Sequence, residues 1–212
     1  YALPEIAFAS VGAPVAAILP TLYAKHAMLS VAATGFLFLI MRIFDGVTDP
    51  LIGYFSDRTR TQIGARKPWI IAGGMLVMVS IFFLFRIPPD AGEAYFATWA
   101  LLYYLGNTMY VVPHMAWGSE ITEDYDQRAK VFSYRSMATG CGDLIYTLLP
   151  LALFYFGVVQ STEFTPDVIR WLGYIVLVLY PVVIGINVVF APTGGVQTKQ
   201  RTTLKGVYGA VL

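Results

Sequence analysis

The sequence predicts an all-α, polytopic membrane protein built from six transmembrane helices. Three observations carry that expectation. The chain of 212 residues is 57% hydrophobic and only 13% charged, with a mean hydropathy of +0.64, whereas a soluble domain is about 25% charged. Its apolar residues gather into six runs near the roughly 20 residues that a bilayer core requires. The basic residues between these runs alternate in abundance, as the positive-inside rule demands.

The first run covers residues 1–22, with Glu5 its only charge, and the second covers 30–55. The third (68–85), fourth (95–118) and sixth (171–191) carry no charge, and the fifth (131–157) holds Arg135 and Asp143. Arg58, Arg60, Arg66, Lys67, Arg128, Lys130, Lys199, Arg201 and Lys205 fall on one side of the membrane, against Lys25, Arg86 and Arg170 on the other. Both ends of the chain are therefore expected in the cytoplasm. Pro14, Pro20, Pro50, Pro113, Pro150 and Pro181 lie inside the runs, where neighbouring helices can satisfy the carbonyls they free. Tyr1 rather than Met opens the chain and GVYGAVL closes it, so both ends are read as cuts. Residues 1–191 are taken as a six-helix bundle and 192–212 as the start of a central cytoplasmic loop.

The composition also limits function. A net charge of +1 with no extended basic and aromatic cluster gives no reason to expect a nucleic-acid partner. Cys141 is the single cysteine, and His26 and His114 are far apart, so neither a disulfide nor a metal site is expected. No phosphate loop and no nucleophile with its base stand out, and neither enzyme activity nor a cofactor is expected.

The segment RIFDGVTDPLIGYFSDRTRT carries the chemistry. Arg42, Asp45 and Asp49 are spaced i, i+3, i+7, on one face of a helix. Asp45 lies about 15 residues into the second run, roughly 22 Å along it, still within or close to hydrocarbon. A charge at a helix centre costs about 2.5–3.5 kcal/mol on insertion scales, so the three are expected to face the bundle interior or water. Their formal sum of −1 would be cancelled by one Na⁺ or H⁺, with Thr48 adding a hard oxygen. An inert Arg–Asp–Asp network that locks the helices is the alternative. In the following loop, Gly53, Asp57, Arg58, Gly64, Arg66 and Lys67 form a tight cytoplasmic connection, with Gly53 expected to permit close helix approach. Asp57 is expected to pair with arginines or a helix N-terminus in one conformation only.

That loop, in its G-x-x-x-D-R…G-x-R-K order, resembles the signature of the major facilitator superfamily. With VPHMAWGSEITEDYDQRAKVFSYR (112–135) it resembles, more narrowly, the glycoside–pentoside–hexuronide:cation symporter family, the melibiose permease relatives. The resemblance covers the N-terminal six-helix half of a twelve-helix fold and implies a 3+3 inverted repeat, although no residue-level repeat is visible. It implies that Asp45 and Asp49 hold the coupling cation with Thr48 and Thr108, and that Arg135 lies near the sugar. The family's two sugar-binding acids fall near Ala9 and Val111 here, which argues against melibiose or a close galactoside. Glu5, Asn107, His114 and Asp143 are the polar groups able to replace them. Asp143 is expected to need a partner or ligand, and Arg135 lies two turns before it. His114 follows Pro113 and can titrate near neutral pH, although a histidine satisfied within the bundle is the simpler expectation. Trp117 is expected to be an interface anchor. Glu120, Asp124 and Arg128, at i, i+4, i+8, are expected to form salt bridges at a cytoplasmic gate, to which Gly53, Asp57, Arg58 and Arg66 also belong.

The expected function is thus cation-coupled uptake of a sugar or related solute by alternating access, in the cell's inner membrane. The alternative is a truncated six-helix relative serving as a non-transporting scaffold. In either case six helices leave the cleft half-built, so a C-terminal half or another membrane subunit is the expected partner.

Overall fold

A computed structural model describes residues 1–27, 29–88 and 91–191. The expected central loop at 192–212 lies outside the described residues. Those residues form six long helical segments: α1 (Pro4–His26), α2 (Val31–Arg58), α3 (Lys67–Leu84), α4 (Glu93–Glu120), α5 (Tyr125–Tyr155) and α6 (Pro166–Phe190). Four of them, α1, α3, α5 and α6, are long and apolar enough by composition to cross a membrane. At 28 residues each, α2 and α4 are about 42 Å long and also exceed the bilayer core, but polar side chains dilute their hydropathy.

Local chemistry sets the ends. Ser30, Asp124 and Thr165 each accept a hydrogen bond from the backbone N–H three residues on, capping α2, α5 and α6. These caps move two boundaries. α5 starts at Tyr125 rather than 131, because the polar turn YDQRAK is helical beyond the apolar run, and α6 starts at Pro166 rather than 171. α1 continues past residue 22 to His26, interrupted by a π-helical stretch at Pro14–Ile18. Pro14 cannot donate in the regular ladder, and the wider π turn absorbs the mismatch. Pro50, Pro113, Pro150 and Pro181 lie inside helices, as expected.

The principal packing pairs run α2–α4–α3–α6–α1–α5. Exchanging the first three helices with the last three carries that chain of contacts onto itself. Equivalent helices are three positions apart in the chain, with two between them, so where successive helices alternate in direction each runs opposite to its counterpart. The contact pattern thus has the form of the expected 3+3 inverted repeat, though no residue repeat marks it. The core lies among α1, α3, α4 and α6, with Val11, Leu19, Val77, Ile81, Tyr110 and Val176 buried. α2 and α5 flank it and leave long exposed faces, with Phe36, Leu39 and Ile43 on one and Met137, Leu144 and Leu148 on the other.

Small residues set the closest approaches. A Cβ on Gly73 would stand 2.7 Å from the Gly106 carbonyl oxygen, and one on Gly106 would stand 2.9 Å from the Val77 nitrogen, so α3 and α4 touch backbone to backbone. On α5, a Cβ at Gly142 would run into the Ile6 carbonyl and come within 2.8 Å of Ala9 Cβ. Gly53 plays no such part. A methyl there would meet Val112 Cγ1 at an ordinary 3.6 Å, so the expected close approach through Gly53 is not made.

Gly106→Val should therefore force α3 and α4 apart and destabilise the protein by about 1–3 kcal/mol, whereas Gly53→Ala should be near neutral. Thermal unfolding of the purified, detergent-solubilised intact protein measures both.

Candidate functional site

Three groups of polar side chains stand out. The first joins α2 to α4. The Thr108 hydroxyl, buried on α4, donates to Asp49 Oδ1 at 3.0 Å. One turn earlier on α2, Asp45 is mostly covered, and its Oδ1 is buried with no hydrogen-bond partner. The other oxygen, Oδ2, lies 3.8 Å from Arg42 Nη1, at the limit of an ion pair. Arg42 is 72% exposed, so its charge only weakly offsets Asp45. The three charges, expected to face the bundle interior or water, thus divide within these six helices. Asp45 turns towards α4, while Asp49 and Arg42 sit on the open face of α2. Thr48 donates back to the Phe44 carbonyl at 2.9 Å, so its proton is spent on its own helix. What remains is a carboxylate with one vacant buried oxygen, a second carboxylate a turn away and a threonine hydroxyl aimed between helices. That donor set is all hard oxygen and suits a small monovalent cation.

The second group lies where α1 meets α4 and α5. Glu5, buried near the start of α1, accepts from Tyr110 at 3.1 Å and Arg135 Nε at 2.9 Å, both on Oε1. His114 Nδ1 lies 3.0 Å from the same oxygen. Gly142 creates this arrangement by letting α5 close on α1, which brings Arg135, two turns before it, beside Glu5. Glu5 pairs with a basic residue, Arg135, within the bundle. His114 is wholly buried and does not reach the open face as a solute ligand would. Asp143 is exposed, and the partner or ligand expected for it is not supplied by a side chain among the described residues. Asn107 is half-buried on α4. Tyr110 was not singled out in the sequence, although its spacing one turn before His114 places it on the same helix face.

The third group is cytoplasmic under the expected orientation. Gly64 adopts φ +105°, a left-handed turn that glycine makes without strain, and the chain doubles back to present Arg66. The Arg66 guanidinium donates from Nη2 and Nε to Glu120 Oε1 at 2.6 and 3.2 Å, and from Nη1 to Ser56 at 2.9 Å. Nη1 also contacts Asp57 Oδ1 at 2.5 Å. Burial alone would lower the arginine pKa, but hydrogen bonds and charge from Glu120 and Asp57 outweigh it and hold the pKa above the ordinary value. One side chain thus ties the ends of α2, α3 and α4 together. Arg58 packs over the Tyr54 ring at 3.6 Å instead. Of the salt bridges expected at Glu120, Asp124 and Arg128, the one at Glu120 is made. Glu120 is taken by Arg66, Asp124 caps α5, and Arg128 donates to the Thr122 carbonyl at 3.1 Å. Lys67 donates to the Val188 and Ala191 carbonyls at 2.8 and 2.9 Å, satisfying the C-terminal end of α6. Trp117 is 1% exposed and packs within the core, so it is not an interface anchor.

A family description, MFS/sugar transport protein, matches residues 1–206. The chain belongs to the MFS/sugar transport protein family. This makes it a multi-pass membrane protein whose six helices fit the N-terminal half of the major facilitator fold. Among similar proteins, the inner membrane symporter YicJ of Escherichia coli is 30% identical over 122 residues, covering 56% of this chain and 26% of that protein. The putative glycoside/cation symporter YagG of Escherichia coli is 31% identical over 128 residues, covering 59% and 28%. A sodium-dependent lysophosphatidylcholine symporter of Xenopus tropicalis is 25% identical over 131 residues, covering 60% and 24%. The aligned region spans about a quarter of the length of these three relatives.

Within this MFS chain the Arg66 network separates two carboxylates by exposure. Glu120→Gln removes a largely buried partner and should lower stability by about 1–2 kcal/mol, while Asp57→Asn, at a side chain 57% exposed, should change it by less than about 0.5 kcal/mol. Thermal unfolding of the intact protein distinguishes the two.

Proposed function

We propose that this chain supplies the cation-binding half of a secondary active transporter that couples Na⁺ or H⁺ to uptake of a sugar or related small solute. The observation that carries the proposal is the α2–α4 group. The vacant buried oxygen of Asp45 and the Asp49 carboxylate held by Thr108 form an oxygen site with net negative charge. A cation entering from the open face of α2 would cancel that charge and draw Asp45 and Asp49 towards one position. Arg42, exposed beside them, would be released from a weak pairing. The family and the named symporters among its relatives support the same reading.

The solute would bind on the open face shared by α4 and α5, through Arg135, Asp143 and Asn107. Arg135 is partly exposed and Asp143 is exposed, and both can reach a hydroxylated ligand. The missing acids near Ala9 and Val111 favour a solute other than melibiose. A C-terminal half would close the opposite wall of the cleft and cover the exposed faces of α2 and α5. Both chain ends would then lie on the cytoplasmic side of the inner membrane. There the Arg66–Glu120–Asp57 network would hold one conformation and separate in the other, as alternating access requires.

The test is solute uptake by the intact protein in proteoliposomes, with and without an imposed Na⁺ or H⁺ gradient. Asp49→Asn should insert normally and lose gradient-driven uptake by about tenfold or more, a coupling loss of at least 1.4 kcal/mol. Thr108→Val, which removes only the donor to Asp49, should weaken cation dependence by a smaller factor. Gradient-driven uptake at the wild-type rate in Asp49→Asn would overturn the cation-site assignment.

A further inference from the structure

His114 has acceptors on both sides. Its Nε2 lies 3.1 Å from the Tyr1 carbonyl oxygen, and its Nδ1 lies 3.0 Å from Glu5 Oε1. A neutral imidazole has one N–H and one lone pair. Whichever nitrogen lacks the hydrogen therefore points a lone pair at an oxygen. Consistent with that, Nδ1 makes no well-directed hydrogen bond although the ring is wholly buried. One added proton would satisfy both contacts.

We propose that His114 and Glu5 form a proton-binding site within the bundle, distinct from the Asp45–Asp49 site, and that the bound proton loosens the grip of Glu5 on Arg135. The step is protonation alone. A proton from water on the open side of α5 joins the free ring lone pair, and the ring becomes an imidazolium. Imidazolium and guanidinium then compete for a single oxygen, Glu5 Oε1, which also accepts from Tyr110.

The groups around the ring support that competition. From α1 comes Glu5, and just before it the Tyr1 ring stacks on His114 at 4.2 Å. From α4 come Tyr110, stacked at 4.8 Å, and Trp117, edge-on at 6.2 Å. α5 contributes Arg135. α6 contributes Asn187, which donates to the Tyr1 carbonyl, and Tyr180, which packs on Phe8. α3 contributes Lys67, 5.5 Å above the Trp117 ring. With a neutral ring, Glu5 and Arg135 sum to zero. With the proton the cluster carries +1, which a low-dielectric interior disfavours. Arg135 is the member with a way out, since it is partly exposed and Asp143 stands open two turns along the same helix. Proton binding would therefore present Arg135 to the open face, where the proposed solute site lies.

This inference rests on the transporter reading only for its consequence, not for the proton site itself. The test is imidazole NMR on the intact protein carrying isotope-labelled histidine. The His114 signal is assigned by its absence in His114→Gln, or in the wild type by its through-space contacts to the two stacked tyrosine rings. The ring should pass from singly to doubly protonated between about pH 9 and pH 5. Glu5→Gln should weaken its proton affinity by about tenfold or more, one pH unit. A ring that keeps one neutral tautomer across that range, or a titration unmoved by Glu5→Gln, would overturn the proposal. Neither result depends on uptake, so this site and the Asp49 cation site can fail separately.

Discussion

A carboxylate in hydrocarbon must be met by donors or by a ligand, and this bundle applies the rule in two opposite ways. Glu5 is surrounded, with Tyr110 and Arg135 donating to a single oxygen and His114 Nδ1 close to it, from two other helices. Asp45 is left short, with one buried oxygen unmatched and a weak, solvent-exposed arginine as its nearest cation. The first arrangement fixes α1, α4 and α5 against one another. The second leaves a place for charge to enter. The proposed transport would use both features, because a fixed frame gives a mobile ion something to act upon.

The backbone contacts make those electrostatics possible. Glycine pairs remove the side chains that would otherwise separate α3 from α4, and Gly142 does the same for α5 against α1. Packing of this kind depends on shape rather than on water exclusion, since lipid tails are as apolar as the side chains themselves. It also explains why the core lies among α1, α3, α4 and α6 while α2 and α5 stay at the flanks. The flanking helices bring Asp49 and Arg135 to the open side, and the central helices pack behind them.

At the end of the bundle where α2 and α4 finish, one guanidinium replaces several separate caps. Arg66 joins Ser56 and Asp57 of α2 to Glu120 of α4 across the turn made by Gly64. Lys67, the next residue, satisfies the last carbonyls of α6. Two adjacent basic residues, which the positive-inside rule treats as a topological count, thus have specific structural partners at the ends of three other helices.

The sequence by itself determined the membrane class, the number of segments and the identity of the charges that had to be accounted for. These follow from local quantities: run length, hydropathy and the i, i+3, i+7 spacing of Arg42, Asp45 and Asp49. It also marked Glu5, His114, Arg135 and Asp143 as out of place in apolar runs. Only the tertiary structure decided which of them meet. Glu5 and Arg135 are 130 positions apart and are joined by the closeness of α1 and α5, a property of Gly142 that no spacing along one helix reveals. Asp143 and Arg42 looked equally in need of partners and instead stand on the open face, because helical periodicity says which residues share a face but not what that face meets. The early starts of α5 and α6 were hidden for a related reason: a side-chain cap stabilises a helix beyond the hydrocarbon, where hydropathy carries no signal.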